Sequence, residues 1–308
     1  ALGSVVAVYQ WGWLGPLFDV HDPGPIMNFL PSIAIGILFG LAMALSGKAG
    51  ERLADMFNDL SEVIMKLVTL LMNLAPYGVF FLMAKLFTTL GFETIASLAK
   101  YFAVVMTVLV LHGLVTYGVI LKLLTGLNPL IFFRKMRDAA LFGFSTSSSN
   151  ATMPVTMEAV TKKLGVKNSI ASFTVPLGAT INMDGTAIMQ GVATVFIAQV
   201  FVMDLTLTDY LMVILTATLA SIGTAGVPGV GLIMLAMVLQ QVGLPVEGIA
   251  LIIGVDRLLD MTRTSVNVTG DAMVSCIVGK SEGAFDKAVF DDVNAGSKEE
   301  NVDFHKLR

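Results

Sequence analysis

The strongest constraint on the fold is a row of charged and amide side chains inside an otherwise apolar segment, residues 249–278. At about 100° per residue of helix, the members of this row fall within roughly one quarter of the helix circumference. The opposite face is rich in Leu, Ile, Val and Met. The polar row is therefore expected to face a protein interior or a wet cavity, where ionisable groups mark a functional site. It consists of Asp256, Asp260, Arg263, Asn267 and Asp271.

The composition is that of an integral membrane protein. Of the 308 residues, 55% are hydrophobic and 14% are charged, and the mean hydropathy is +0.80. The net charge is −4 and the basic residues are scattered, so nucleic acid is not an expected partner. The single cysteine, Cys276, excludes a disulfide framework within the chain. The histidines His21, His112 and His305 lack metal-ligand spacing, and we interpret His112 as packed in the core.

Uncharged runs near the start of the chain predict membrane-spanning helices. They cover residues 25–47, 67–84 and 101–121, and a basic residue follows each of them. An α-helix of about 20 residues crosses a bilayer core of about 30 Å, and Pro76 predicts a kink in the second run. The opening segment lacks the basic stretch of a signal peptide. We expect further membrane segments to precede it.

Hydroxyl and amide residues interrupt the next uncharged run, residues 139–157. Its centre reads Ser-Thr-Ser-Ser-Ser-Asn-Ala-Thr from Ser145 to Thr152, and such side chains favour caps and turns over helix interiors. One interpretation is a polar seam between two helices. The other is a re-entrant hairpin whose tip lines a cavity, because irregular backbone is tolerated at membrane depth only in such a place.

Two later apolar runs are also interrupted. Residues 168–203 contain Asn-Met-Asp-Gly-Thr from Asn182 to Thr186, which predicts a helix that is unwound locally so that its carbonyls and Asp184 bind a cation. A membrane helix with one paired aspartate is the alternative. Residues 210–245 carry Gly-Thr-Ala-Gly-Val-Pro-Gly from Gly223 to Gly229, and each half is too short to cross a membrane alone. A second hairpin is therefore expected.

The order of these segments is typical of a secondary transporter built from inverted repeats. One interrupted hairpin precedes the broken helix and another follows it, and in such proteins the substrate site lies at the repeat interface. Because successive spans cross the membrane in opposite directions, the loops that contain basic residues, such as those at 134–137 and 162–167, are expected on one side of the membrane. The positive-inside rule makes that side cytoplasmic. The serine-rich hairpin is thus expected to enter from the cytoplasm and the second hairpin from outside.

The chain resembles the dicarboxylate/amino acid:cation symporters, a family that includes glutamate and aspartate transporters. The likeness covers residues 25–283 and rests on motifs that occur in the same order. It implies an all-α, polytopic membrane protein: an elevator-type transporter with two re-entrant helical hairpins that act as gates, a broken transmembrane helix and a trimeric scaffold. The motifs are Ser147-Ser-Ser-Asn-Ala-Thr-Met-Pro154, Asn182-Met-Asp-Gly-Thr186, Gly223-Thr-Ala-Gly-Val-Pro-Gly229 and Asp260-Met-Thr-Arg-Thr-Ser-Val-Asn-Val-Thr-Gly-Asp271.

The resemblance also implies the site residues. Arg263 would hold the side-chain carboxylate of the substrate and Asp260 its amino group. The chemistry agrees, because an arginine fork matches a carboxylate and hard cations prefer carboxylate and carbonyl oxygens. The implied substrate-binding residues are Ser149, Thr186, Val227, Asp260, Arg263, Thr264 and Asn267. The implied cation ligands are Gly178, Asn182, Asn267 and Asp271 for one Na⁺, Thr180, Met183, Ser221, Ile222 and Thr224 for a second, and Asn182 with Asp184 for a third.

The chain departs from the family pattern at positions near this site. Asn150 stands where a fourth serine is usual, and Ser147 and Met261 stand where many members have an extra arginine. The choice among aspartate, glutamate and C4-dicarboxylates therefore stays open. Gln190 stands where members that counter-transport potassium have a glutamate, so the resemblance implies transport without potassium.

The resemblance further implies a homotrimer in the lipid bilayer, as a multi-pass protein of a bacterial cytoplasmic (inner) membrane. Residues 1–98 would be scaffold helices, 99–283 the transport domain and 284–308 a cytoplasmic tail with a disordered end. Na⁺ is the expected coupling ion and H⁺ the alternative.

A channel is a less favoured class because it needs no arginine at a substrate-sized site. An enzyme is not expected, since Ser149 and Asp184 have no His or Lys beside them in sequence to activate a serine.

Overall fold

The computed structural model describes residues 93–222, 224 and 226–296, together with parts of residues 35–84. These residues are mostly helical, and they form no strand beyond an isolated antiparallel bridge between Val166 and Phe285. The expected all-α class is confirmed. The first predicted span is helical over most of its described part, residues 35–47. Most of the span at residues 67–84, with the Pro76 kink, lies outside the described residues.

The chain divides into two compact units. One comprises Ala1–Thr107 and Met183–Asp260, and we call it the Gly-hairpin unit after the motif that begins at Gly223. The other comprises Val108–Asn182 and Met261–Arg308, and we call it the Ser-hairpin unit.

A long apolar helical stretch contains the third predicted span. It consists of α1 (Glu93–Leu111), a π-helical segment (His112–Thr116) and α2 (Tyr117–Thr125). Within the described residues, Ala96–Thr125 is the one helical stretch long and apolar enough to cross a membrane. The helix ends at Gly126, whose φ of 69° lies in the left-handed region that glycine adopts without strain.

The serine-rich segment of the Ser-hairpin unit forms two helices that pack against each other. Helix α3 (Pro129–Thr146) begins with the Asn128 side chain accepting a hydrogen bond from the backbone N–H of Leu130 and with proline in its first turn. It ends at Ser147, whose φ is 53°. Helix α4 (Ser149–Glu158) then begins, and the Ser148 hydroxyl caps it by accepting from the N–H of Ala151. The predicted turn is therefore present; whether it enters a membrane stays a prediction.

The predicted broken helix is also present. Helix α5 (Asn168–Ile181) ends at Asn182 and helix α6 (Asp184–Val200) begins after Met183, and both intervening residues leave the helical region of φ and ψ. In the Ser-hairpin unit, α4 packs against α3 and α5. The break coincides with the boundary between the two units.

The Gly-hairpin unit has the same kind of arrangement. Helices α7 (Leu207–Ile222) and α8 (Val230–Gln241) pack against each other, and both pack against α6. Gly229, with φ of 80°, makes the left-handed turn into α8. Each unit thus combines one helical hairpin with one half of the broken helix, as expected of inverted repeats.

The last long helix, α9 (Ile249–Ser281), follows a 3₁₀ turn (Val246–Gly248) and contains the whole predicted polar helix. The structure describes the charged segment after α9 as far as residue 296. Helix α10 (Lys287–Asp291) is capped by Asp286, and Phe290 is fully buried. Lys135 ties this segment to the base of the serine hairpin, because its ammonium donates to the carbonyls of Lys163 and Val289, each at 2.7 Å. The expected disordered end of the tail lies outside the described residues.

Candidate functional site

The polar row on α9 is buried throughout. Its five members are between 1% and 9% exposed, with Arg263 at 1% and Asp271 at 2%. The expectation that this face of an apolar helix points into protein is confirmed. Burying charged groups is costly unless they are paired or bind ligands, so such a concentration of buried charge and amide groups marks the strongest candidate site in the described residues.

The tip of the serine hairpin lies against the part of α9 that carries Arg263. A Cβ built on Gly143, near the end of α3, would lie 3.5 Å from the Thr264 methyl group, 3.5 Å from a Val268 methyl group and 3.6 Å from the Thr152 hydroxyl. The small residue at this point lets the hairpin approach α9 closely. The Ser-hairpin unit therefore packs the end of α3 against the part of α9 that carries Thr264. Ser149, at the tip of the hairpin, is buried.

A second cluster in the same unit surrounds Asp271. The Asn182 amide donates to Asp271 Oδ1 at 2.9 Å, so the residue at the helix break reaches α9 directly. A Cβ on Gly178 would lie 2.5 Å from the same Oδ1 atom, which means that only glycine fits there with these neighbours in place. The structure thus brings together Gly178, Asn182 and Asp271, from the first predicted cation set. Asn267 lies one helical turn before Asp271 on α9 and is also buried.

In the Gly-hairpin unit, Asp260 contacts the tip of the hairpin. Its Oδ2 accepts a hydrogen bond from the backbone N–H of Gly229 at 3.1 Å. Asp260 therefore binds the hairpin backbone here, next to the turn that contains Val227. Sequence reasoning gave this carboxylate to the substrate amino group and did not foresee its contact with the hairpin. A carboxylate oxygen accepts more than one hydrogen bond, so the two roles are compatible.

The remaining predicted residues of this unit lie at the helix break or at the end of α7. Thr186 and Met183 are buried at the start of α6, and Asp184 beside them is partly exposed. Ser221 and Thr224 are buried, and their hydroxyls donate to the carbonyls of Thr218 and Ala220. Of the second predicted cation set, Thr180 belongs to the Ser-hairpin unit and the other four residues to the Gly-hairpin unit. The described residues contain no group of three His, Cys, Asp or Glu side chains able to hold a metal.

The Gly-hairpin unit also has a cavity of about 610 Å³ away from these residues. It lies between α1, α6 and α7, and none of the predicted site residues lines it. Its walls are mainly apolar and include Tyr101, Val104, Phe196, Tyr210 and Val213.

Charged groups at the base of the serine hairpin form ion pairs outside the uncharged runs. Lys163 donates to Asp138 Oδ2 at 2.7 Å, and Arg137 approaches the other carboxylate oxygen at 3.4 Å. The hydrogen bond from Lys163 is the main reason that the pKa of Asp138 lies below its ordinary value. Burial lowers the pKa of Lys135, although Asp291 and Asp292 oppose that effect.

Sequence reasoning missed Tyr117, which lies beside the predicted cation ligands. It also missed the hydrogen-bond partner of Gln190. Tyr117 is buried, and its hydroxyl and the Asn182 amide nitrogen lie 2.6 Å and 2.7 Å from the position that a Cβ on Gly270 would take. The one signal in the sequence was a tyrosine inside the uncharged run of residues 101–121. Gln190 is fully buried, and its amide donates to the carbonyl of Gly231 at 3.2 Å, which ties α6 to the start of α8.

Comparisons with known proteins identify transporters that are similar in sequence to this chain. Excitatory amino acid transporter 3 of Mus musculus is 43% identical over 255 residues, which are 82% of this chain and 49% of that protein. The excitatory amino acid transporter of Caenorhabditis elegans is 41% identical over 254 residues, 82% of this chain and 50% of that protein. The proton/sodium-glutamate symport protein of Bacillus subtilis is 36% identical over 273 residues, 89% of this chain and 63% of that protein.

The chain spans about half the length of the two excitatory amino acid transporters. The model of the sodium:dicarboxylate symporter family matches residues 25–281, which include both hairpins, the broken helix and α9. The relatives are transporters by name, not enzymes. The chain belongs to the sodium:dicarboxylate symporter family.

Proposed function

We propose that the protein is a secondary active transporter that couples the movement of acidic amino acids or C4-dicarboxylates to a cation, with Na⁺ as the main coupling ion. The support comes from the family match and from relatives named for glutamate and excitatory amino acid transport. Both the helix break and the two hairpins belong to the architecture that secondary transporters use for ion and substrate sites.

The strongest support for an anionic substrate is the burial of Arg263. An arginine that is 1% exposed on a helix of a membrane protein is costly unless anionic or polar groups surround it. Its planar guanidinium can bind a carboxylate through two parallel hydrogen bonds. Arg263 therefore binds the substrate side-chain carboxylate. Thr264 and Asn267 follow it on the same helix, and Ser149 belongs to the same unit; we assign these three residues to substrate binding as well.

We also propose substrate-binding roles for three residues of the Gly-hairpin unit. Asp260 binds the substrate amino group, Thr186 supplies a hydroxyl, and the backbone at Val227 closes over the substrate. The hydrogen bond from the Gly229 N–H to Asp260 supports a gating role for the hairpin. The same carboxylate would bind both the hairpin backbone and the substrate amino group, so substrate binding and hairpin position would depend on each other. A substrate amine and the Gly229 N–H are both donors that this carboxylate accepts.

The cation sites follow the same reasoning. Asp271, the helix-terminal carbonyls of Gly178 and Asn182, and the Asn267 carbonyl supply the hard oxygen ligands that Na⁺ requires. The resemblance assigns one further Na⁺ to Thr180, Met183, Ser221, Ile222 and Thr224 and another to Asp184 with Asn182, and we propose the same assignments. Binding Na⁺ near Arg263 and Asp271 raises the positive potential that attracts an anionic substrate, so the two affinities rise together.

The protein acts in a membrane, and we propose a homotrimer with scaffold residues 1–98, a transport domain at 99–283 and a cytoplasmic tail from 284. We further propose that this membrane is a bacterial cytoplasmic membrane and that the basic loops face the cytoplasm, as the positive-inside rule predicts. H⁺ coupling is the second candidate, and a relative named as a proton/sodium-glutamate symporter favours it. Substrate uptake into liposomes under a Na⁺ gradient alone or a pH gradient alone separates the two.

Arg263→Ala tests the substrate assignment, with Arg257→Ala as its control. Both residues lie on α9, but Arg257 is exposed whereas Arg263 is buried. Removing one partner of a buried charge pair costs about 3–5 kcal/mol, a factor of more than about 100 in binding. We expect Arg263→Ala to abolish measurable aspartate and glutamate binding by the full-length protein in calorimetry at saturating Na⁺, and Arg257→Ala to bind as the wild type does. Unchanged affinity in Arg263→Ala contradicts the assignment.

A further inference from the structure

A π-helical segment determines which way the end of the long apolar helix faces in the Ser-hairpin unit. The backbone N–H of Tyr117 donates to the carbonyl of His112, five residues earlier, which is the bonding pattern of a π turn. In a regular α-helix, residues spaced by four drift about 40° around the axis at each step. The wider turn absorbs an extra residue and reverses part of this drift. The buried row that it keeps on one side consists of Leu109, Gly113, Tyr117, Leu121 and Thr125.

This row faces α9. A Cβ on Gly113 would lie 3.3 Å from a Val266 methyl group, so the helix backbone approaches α9 at that level. One turn later, Tyr117 is 1% exposed and the edge of its ring packs against His112, with ring centres 4.8 Å apart. The tyrosine is thus held by the π segment on one side and by α9 on the other.

The Tyr117 hydroxyl lies at the cation cluster. A Cβ built on Gly270 would be 2.6 Å from the Tyr117 oxygen and 2.7 Å from the Asn182 amide nitrogen. Both side chains therefore converge on the same point of the α9 backbone, immediately before Asp271. The same Asn182 nitrogen donates to Asp271 Oδ1. Gly270 has to lack a side chain because the tyrosine hydroxyl and the amide occupy the space that its Cβ would fill.

We propose that Tyr117 is a positioning residue for cation binding, and this assignment rests on the proposed function. Its hydroxyl and the bare Gly270 backbone confine the Asn182 side chain at the helix break. That confinement keeps the Asn182 backbone carbonyl and the Asp271 carboxylate in one geometry. A phenol oxygen both donates and accepts hydrogen bonds, whereas a phenylalanine ring of the same shape does neither. Tyr117 acts through Asn182 and Asp271 and does not need to touch the ion.

Tyr117→Phe tests this assignment in the full-length protein reconstituted in liposomes. We expect the Na⁺ concentration for half-maximal uptake of labelled aspartate or glutamate to rise about fivefold, the factor typical of one hydrogen bond. The maximal rate at saturating Na⁺ and the thermal stability at saturating Na⁺ should stay close to those of the wild type, which a purely structural defect would not allow. Tyr101→Phe is the matched control, because it removes another buried hydroxyl, from a ring that packs on Phe196. It should leave the Na⁺ dependence unchanged.

Gly270→Ala provides a second variant that keeps the tyrosine. The added methyl group would overlap the Tyr117 oxygen, its ring carbon Cζ and the Asn182 nitrogen. One or both side chains have to move, so we expect the same direction of change in Na⁺ dependence. Wild-type protein whose uptake is indifferent to Na⁺ would overturn the proposed function and this assignment with it. Wild-type uptake that depends on Na⁺, together with an identical Na⁺ dependence in both Tyr117→Phe and Gly270→Ala, would overturn the role of Tyr117 alone.

Discussion

Gly178→Ala should disrupt the cluster around Asp271 through steric overlap alone. The new methyl carbon would lie 2.5 Å from Asp271 Oδ1 and 2.8 Å from its Cγ, whereas ordinary contacts of a Cβ begin at 3.4 Å. Asp271 is 2% exposed and its Oδ1 accepts a hydrogen bond from Asn182. The carboxylate has to move within a packed interior, and its bond to Asn182 is broken or strained as it does so.

The expected cost follows from these contacts. Overpacking a buried site costs about 1–3 kcal/mol, and losing a hydrogen bond to a charged group costs about 1.5–3 kcal/mol. Alanine favours the helix over glycine by about 1 kcal/mol, which offsets part of that cost. We expect a net destabilisation of about 2–4 kcal/mol, together with weaker Na⁺ binding.

Gly118→Ala is the matched control in the same unit. Gly118 is also a buried helical glycine, but a Cβ there would meet its nearest atoms, on Phe133 and Pro129, at 3.5 Å. This variant should be as stable as the wild type or slightly more stable. The assay is thermal unfolding of the purified protein across a series of Na⁺ concentrations, since a ligand that binds the folded state raises its stability. Equal stability and equal Na⁺ response in Gly178→Ala and Gly118→Ala would refute the reasoning.

Other variants test separate parts of the structure. Phe290→Ala removes a fully buried ring from α10, so we expect a loss of about 3–5 kcal/mol in thermal or denaturant unfolding; a loss below 1 kcal/mol would contradict the packing of this segment. Asp138→Asn should cost at most about 1 kcal/mol at neutral pH, because the pair with Lys163 is partly exposed. The lowered pKa of Asp138 means that its contribution is present above the ordinary carboxylate pKa and is lost as pH falls through the lower folded value, so stabilities of variant and wild type measured against pH should converge in acid; a constant gap would contradict this. Gln190 offers no titratable group, so uptake should proceed at one rate with internal K⁺ or choline, and a strong dependence on K⁺ would refute that expectation.

The helical architecture could be read from the sequence because its interruptions have local causes. Hydroxyl side chains at Ser147 and Ser148 favour turns and caps, and the structure ends one helix and caps the next at these residues. Gly229 adopts the positive φ that glycine favours, and the helix break falls at Asn182 and Met183 as expected. Burial of the α9 row followed from its period of 3.6 residues in an apolar helix.

Contacts that depend on packing could not be read from the sequence. The π segment before Tyr117 contains His112, Gly113 and Thr116 but no proline. Such residues also occur in regular α-helices of membrane proteins, so only the three-dimensional fit against α9 reveals the effect of this segment. The hydrogen bond from Gly229 to Asp260 joins residues far apart in the chain. The packing of residues 284–292 against the serine hairpin was likewise missed. A short charged segment at this place in the chain predicts a tail, whereas the structure fixes it through the contacts of Lys135 with the Val289 carbonyl and the Phe290 ring.

The most direct test of the central claim is uptake of labelled L-aspartate or L-glutamate by the full-length protein in liposomes with an imposed Na⁺ gradient. The proposed function predicts accumulation of substrate above its external concentration when Na⁺ is directed inward, and collapse of that accumulation when the Na⁺ gradient is dissipated. Asp271→Asn should require more Na⁺ for the same uptake, because substrate and cation affinities are linked. Substrate that only equilibrates across the membrane, at a rate independent of Na⁺, would contradict sodium-coupled transport.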